Sequence, residues 1–120
     1  RVIRNLVVNA IEHADGTPVT ITLATTETDV ACRVRDRGVG MTQEVADHVF
    51  DRFYRADTAR ARTTGGTGLG LAIATEDVAI HGGRLQAYGE PGRGASFLMT
   101  LPKKAGEDIV SRPLALWENE

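Results

Sequence analysis

The sequence predicts a two-layer α+β sandwich with helices on one face of the sheet, on three observations. Apolar residues recur at three- and four-residue spacing over 1–14, from 42 through Phe53, and again over 69–81, the pattern of helices with one buried face. Apolar and polar residues alternate over 19–25 and 30–36, and strand patterns return at 84–88 and 95–101. Each strand pair is joined by a short turn, so helices and antiparallel hairpins segregate along the chain.

The elements follow in order. Val2, Ile3, Leu6, Val7, Ala10, Ile11 and Ala14 give the first helix one broad apolar face, and Asp15-Gly-Thr-Pro18 ends it with turn chemistry. A hairpin with one buried face follows, turning at Thr28-Asp29 and ending at the carboxylate of Asp36. Arg37-Gly-Val-Gly-Met41 reads as a loop, and Thr42 with Glu44 reads as a helix start. Periodicity is lost from Tyr54 to Thr67, a long segment rich in arginine and threonine with the position of a functional lid. Helix resumes at Leu69 and is capped by Gly82-Gly83. The last hairpin is joined by Gly89-Glu-Pro-Gly-Arg-Gly94. These readings give a domain over 1–102 and a tail over 103–120, whose Pro113-Leu-Ala-Leu-Trp117 is an apolar tag suited to docking on this domain or on another. The first residue already lies inside a helical pattern, which predicts an N-terminally truncated fragment.

Composition excludes several classes of function. With 14 cationic against 16 anionic residues, the chain has no electrostatic footprint for nucleic acid. One cysteine, Cys32, rules out a disulfide framework and multi-cysteine metal sites, and its alternating context makes it a small core residue. Only two of the 14 cations are lysines (Lys103 and Lys104), so neither a GxxxxGK[ST] phosphate loop nor a protein-kinase strand lysine can exist here. The 13 glycines, most of them clustered, must serve any nucleotide by another scheme.

Four constellations carry chemistry. On the first helix, Asn5, Asn9 and Glu12 form a narrow stripe with His13 beside it, placed opposite Ile3, Val7, Ala10 and Ala14. Asparagine is a weak helix former, and its amide oxygen is a hard ligand suited to Mg²⁺. Asp36-Arg-Gly-Val-Gly40 sets a carboxylate at a strand end, with glycines at 38 and 40 to let the backbone pass close to a planar ligand. Gly66, Gly68 and Gly70 open a helix whose N-terminal amides suit phosphate oxygens. Phe50-Asp-Arg-Phe-Tyr-Arg55 gathers half of the six aromatics at the base of the lid.

Together, Asn5-Leu-Val-Val-Asn9-Ala-Ile-Glu-His13, Asp36-Arg-Gly-Val-Gly40, Phe50-Asp-Arg-Phe-Tyr54, Gly66-Thr-Gly-Leu-Gly70 and Gly92-Arg-Gly94 resemble the ordered boxes of the catalytic, ATP-binding domain of bacterial sensor histidine kinases. The finer resemblance is to actinobacterial members, on Gly65-Gly-Thr-Gly-Leu-Gly-Leu-Ala-Ile73 and Gly89-Glu-Pro-Gly92. The resemblance implies the Bergerat fold, with a mixed, mostly antiparallel sheet of about five strands and about three helices on one face. It implies that Asn9 coordinates Mg²⁺, that Asn5 assists at the phosphates, that Asp36 binds the adenine amino group and that His13 lies against the nucleotide. Gly66, Thr67, Gly68, Leu69, Gly70 and Leu71 would line the phosphates, Met41 and Thr100 would complete the ATP site, and Arg60 or Arg62 would contact the γ-phosphate. Glu12 departs from the pattern, standing where many members carry a cation.

Members that hydrolyse ATP place a Glu one turn before the metal-binding Asn; here Asn5 is no general base, which favours transfer to a protein acceptor. His48 and His81 lack an acidic neighbour in a helical-hairpin context, so the acceptor histidine is expected on an upstream dimerisation domain, with a response regulator as the onward partner. The whole protein is expected to be a membrane-anchored homodimer with this domain in the cytoplasm, and the fragment itself a monomer. An anti-sigma-factor-type serine kinase and a nucleotide-gated interaction module without transfer are the alternatives.

Overall fold

In a computed structural model that describes residues 2–51 and 70–117, the chain forms four strands and three helices in two layers. The elements are α1 (Val2–Ala14), β1 (Thr20–Thr25), β2 (Asp29–Arg35), α2 (Gln43–His48), α3 (Gly70–Ile80), β3 (Arg84–Glu90) and β4 (Gly94–Pro102). The strand order is β1-β2-β4-β3 and every pair is antiparallel. The mixed sheet of about five strands is therefore corrected to four antiparallel strands among the described residues. The two hairpins are sutured through β2 and β4, where Cys32 lies opposite Met99 and Val34 opposite Phe97. Segments 37–42 and 103–117 lack the period-two pattern and add no strand.

Two expected boundaries move. The first hairpin turns at residues 26–28, where Thr26 Oγ1 accepts from the amides of Thr28 and Asp29, so Asp29 opens β2 instead of turning before it. Helix α2 starts as expected, with Thr42 Oγ1 capping Val45 N at 3.3 Å. It stops at His48, however, and Asp51 N donates to His48 O in the turn that follows. Val45, Val49 and Phe50 still reach the core, and the Phe50 ring meets Phe97 edge-on with centroids 6.1 Å apart.

The core lies between the helices and the sheet, built from Leu6, Ala10, Cys32, Val34, Met41, Ala95 and Phe97. Burial pushes the Cys32 thiol up from its ordinary value, which suits a packing residue and not a nucleophile. Helix α1 buries only Leu6, Ala10 and Ala14; Ile3 (45 % exposed) and Ile11 (62 %) are left outside. The broad apolar face expected for α1 is narrower because α1 packs beside α3 on the sheet, over β2 and β4, and leaves Ile21 and Leu23 of the β1 edge exposed.

The opposite face of the sheet is covered as well. Residues 110–117 lie across it, so β2 is buried on both faces, where the alternation had predicted one. The apolar tag docks on this domain, with Trp117 against Tyr88 at 5.1 Å between ring centroids.

Candidate functional site

Strand β2 delivers Asp36 into the space between the end of α1 and the β3–β4 hairpin. Its amide donates to Ala95 O at 2.9 Å, and its side chain is 1 % exposed. Oδ1 accepts from Gly38 N at 3.0 Å and from Ala95 N at 3.2 Å. Oδ2, equally buried, accepts no hydrogen bond among the described residues. A buried acceptor left without a donor costs about 1–3 kcal/mol, so an incoming N–H group would be favoured there.

The glycines beside Asp36 lie against backbone from two other elements. A Cβ on Gly38 would lie 1.8 Å from His13 O, and one on Gly40, at φ +74°, would lie 2.0 Å from Glu90 O. From the other side, a Cβ on Gly94 would lie 2.0 Å from Asp36 O. Gly92 N also donates to Val39 O at 2.9 Å. Thus Gly38 and Gly40 permit backbone to meet backbone. Their effect is to interlock the end of α1, the 36–41 loop and the hairpin, and so to fix where Asp36 stands. Met41 likewise turns into the core at 8 % exposure, beside Gly89, and floors the loop.

The polar stripe of α1 runs away from this loop. Asn5, Asn9, Glu12 and His13 are all half-buried. They flank the Leu6/Ala10/Ala14 face, while Arg4, Val8 and Ile11 occupy the side opposite to it. The stripe therefore flanks the buried face and does not stand opposite to it, as the spacing had suggested. At its far end Asn5 Nδ2 donates to Gly70 O at 3.2 Å, which joins α1 to the first residue of α3. At its near end the His13 carbonyl abuts Gly38. The eight residue steps from Asn5 to His13 span about 12 Å, with Asn9 midway. No described residue crowds Gly70, and Leu71 packs half-buried against the core.

Thr100 is a correction. In β4 the side chains alternate, and Phe97 belongs to the helix-side core while Ser96 Oγ donates to Leu116 O on the other face. Thr100 lies with Ser96, under the tail, in a cavity of about 70 Å³ lined in part by Arg84, Leu98 and Leu114. It is separated from Asp36 by the sheet itself. Arg60, Arg62, Gly66, Thr67, Gly68 and Leu69 lie outside the described residues. His48 meets Asp51 Oδ2 at 2.9 Å on an exposed turn and not in a helical hairpin; that hydrogen bond, with help from Asp47 and Glu44, raises its pKa from the ordinary value.

Among the described residues, no group of three His, Cys, Asp or Glu side chains is placed to hold a metal. The donors on the stripe are neutral amides, which suit a Mg²⁺ ion that keeps its waters and arrives with phosphates. The sequence missed a supporting layer beneath Asp36. Arg35 Nε donates to Asp36 O at 3.2 Å and its Nη2 to Arg93 O at 3.1 Å, with the guanidinium 3.8 Å from the centre of the Trp117 ring. Alternating arginines on a strand look like a solvent face. The only signal against that was the apolar tag needing a surface.

Comparison with known proteins gives a consistent picture. Residues 1–105 match the family model described as histidine kinase-, DNA gyrase B-, and HSP90-like ATPase. The chain is 51 % identical over 116 residues to the sensor histidine kinase MtrB of Mycobacterium tuberculosis (strain ATCC 25618 / H37Rv), a match that covers 97 % of the chain and 20 % of that protein. A crystal structure of full-length ShkA in complex with AMPPNP matches with a TM-score of 0.72 and 28 % identity, over 88 % of this chain and 22 % of that one. The mycobacterial sensor histidine kinase MprB matches with a TM-score of 0.73 and 26 % identity, over 87 % of this chain and 69 % of that one.

Proposed function

The chain belongs to the histidine kinase-, DNA gyrase B-, and HSP90-like ATPase family, and from that premise we propose that it is the Mg·ATP-binding catalytic domain of a two-component sensor histidine kinase. In this role it donates the γ-phosphoryl group of ATP to a histidine on a dimerisation domain outside this chain. The observation that carries it is the buried Oδ2 of Asp36, an acceptor awaiting a donor at one end of the Asn5–Asn9–His13 stripe. The exocyclic amino group of adenine is such a donor.

The residues divide the work along the stripe. Asp36 takes the base, and the interlocked glycines keep its carboxylate in place. His13 lies beside the nucleoside. Asn9 is the residue that would hold Mg²⁺ through its amide oxygen, and Asn5, anchored on Gly70, faces the phosphate end. Bound Mg·ATP would supply the phosphoryl group and a charge-neutralising cation. The backbone amides opening α3 and its dipole favour phosphate oxygens. Gly66, Thr67, Gly68 and Leu69 extend that cradle in the proposal, with Arg60 or Arg62 answering the γ-phosphate. Asn5 cannot take a proton from water, which supports transfer over hydrolysis. Such transfer rests on positioning and charge stabilisation, the two things this residue set offers.

The proposal extends the domain past residue 102 to include the docked segment 110–117. It places the domain on the cytoplasmic side of a membrane-anchored, homodimeric sensor that passes phosphate to a response regulator. No helix among the described residues is long and apolar enough to cross a membrane. Calorimetry tests the binding step. Mg·ATP should bind the native chain in the micromolar range and Asn9→Ala should abolish binding; a native chain that binds no nucleotide overturns the proposal. Labelled ATP with purified upstream domain tests transfer: label on histidine supports it, and label on serine or on nothing counts against it.

A further inference from the structure

The sheet face turned away from α1 and α3 holds Asp29, Arg33, Arg35, Ser96 and Thr100, all at most 8 % exposed. Left open, such a face would be solvated; residues 110–117 close it. Asp29 Oδ2 accepts from Ser111 Oγ at 2.6 Å, Ser111 N at 2.7 Å and Val110 N at 3.1 Å. Arg33 Nη1 donates to Ala115 O at 2.8 Å and Ser96 Oγ to Leu116 O at 2.6 Å. The segment ends on Trp117, whose ring lies over Arg35 and meets Tyr88 edge-on.

Arg35 joins this face to the other. One guanidinium stacks on Trp117, donates to the backbone carbonyl of Asp36 and donates to Arg93 O in the hairpin turn. That turn is itself knitted, with Arg93 on Glu90 Oε1 and Tyr88 Oη on Glu90 Oε2, both at 2.9 Å. An arginine side chain has several rotamers, and only a stacked, doubly donating one holds both carbonyls at once.

We infer that Trp117 and Arg35 are positioning residues for the base pocket: the docked tail fixes Arg35, Arg35 fixes the Asp36 backbone, and the affinity for nucleotide thereby depends on a residue across the sheet. The inference rests on Asp36 being the base-binding residue. Without the Trp117 ring, the guanidinium gains water and rotamers, and the Asp36 carboxylate loses its fixed aim.

The test is calorimetric titration of ATP into this chain in native form and as Trp117→Ala, Trp117→Phe and Arg35→Lys. Trp117→Ala should weaken binding about fivefold, one cation–π contact's worth, with unchanged stoichiometry. Trp117→Phe, which keeps an aromatic face, should recover most of the loss. Arg35→Lys keeps the charge but loses the planar fork, so it should resemble Trp117→Ala. A tail that matters only for folding would lower the stoichiometry with the folded fraction and leave Kd alone. Native Kd in both Trp117→Ala and Arg35→Lys overturns the inference while ATP binding by the native chain leaves the role of Asp36 standing. No binding by the native chain overturns both.

Discussion

Strand β2 is flanked by two buried aspartates, Asp29 where it begins and Asp36 just past its end. They look alike. Each has one carboxylate oxygen held by the chain and one buried oxygen that accepts nothing among the described residues. The difference lies in what surrounds them. Asp29 gathers four donors on Oδ2, two of them hydroxyls, from the strand turn and the tail. It is a clasp. Asp36 takes only two backbone amides and stands at the head of a half-buried stripe of asparagines. An orphaned oxygen alone therefore does not mark a binding site; its neighbours decide.

Asp36→Asn breaks the comparison hardest. The amide oxygen can still accept from Gly38 and Ala95, so the melting temperature should change little, while the acceptor for adenine is lost. Calorimetry should show ATP affinity falling by about a hundredfold or more, as expected for a lost hydrogen bond to a buried charge. Gly38→Ala comes next, because its Cβ would overlap His13 O. Overpacking of this kind costs about 1–3 kcal/mol, against about 1 kcal/mol for Gly92→Ala, where only the left-handed φ of +78° is at stake; urea melts of the two would separate them.

Asp29→Asn should do the reverse of Asp36→Asn, lowering the melting temperature by several degrees and leaving Kd for ATP within about twofold of native. Its pH dependence sharpens the point. The Ser111 hydroxyl, followed by the other donors and against the opposing effect of burial, holds the Asp29 carboxyl below its ordinary value. Stabilisation from a depressed carboxylate is present above the ordinary value of about 4 and is lost as pH falls through the lower folded value. Melts of the native chain taken from neutral pH downward should fall more steeply there than those of Asp29→Asn. The smallest effect belongs to Asp51, the exposed carboxylate of the set. Its hydrogen bond raises the His48 pKa, so its contribution is present below about pH 6.5 and fades as pH rises through the raised value. Both side chains are more than half exposed, so salt should erase most of the difference between native and Asp51→Asn melts.

Much of this was legible beforehand. Period-3.6 and period-2 patterns are produced by the core, so Leu6, Ala10, Cys32, Val34 and Phe97 announced themselves. The motifs carrying Asn5, Asn9, His13 and Asp36 were visible too, and in the structure α1 meets α3 at one end and the Asp36 loop at the other. What escaped was everything decided by a distant covering segment. Arg33 and Arg35 alternate with core residues as solvent-facing side chains do, and only the tail buries them. Thr100 was misplaced although the alternation from Phe97 already put it on the outer face. Nor does one sequence display the carbonyls of His13 and Glu90 that press on the glycines of the Asp36 loop.

The backbone interlock at residues 36–40 also has a consequence in time. The amide protons of Gly38 and Ala95 end on a carboxylate that is 1 % exposed, inside a joint where three backbones meet without side chains between them. They should exchange with solvent more slowly than the amides of the exposed Arg37 and Val39 beside them. Hydrogen exchange measured on these two amides should report the opening of this joint. In the proposed role, Asp36 would then meet a nucleotide from a joint already in its final form.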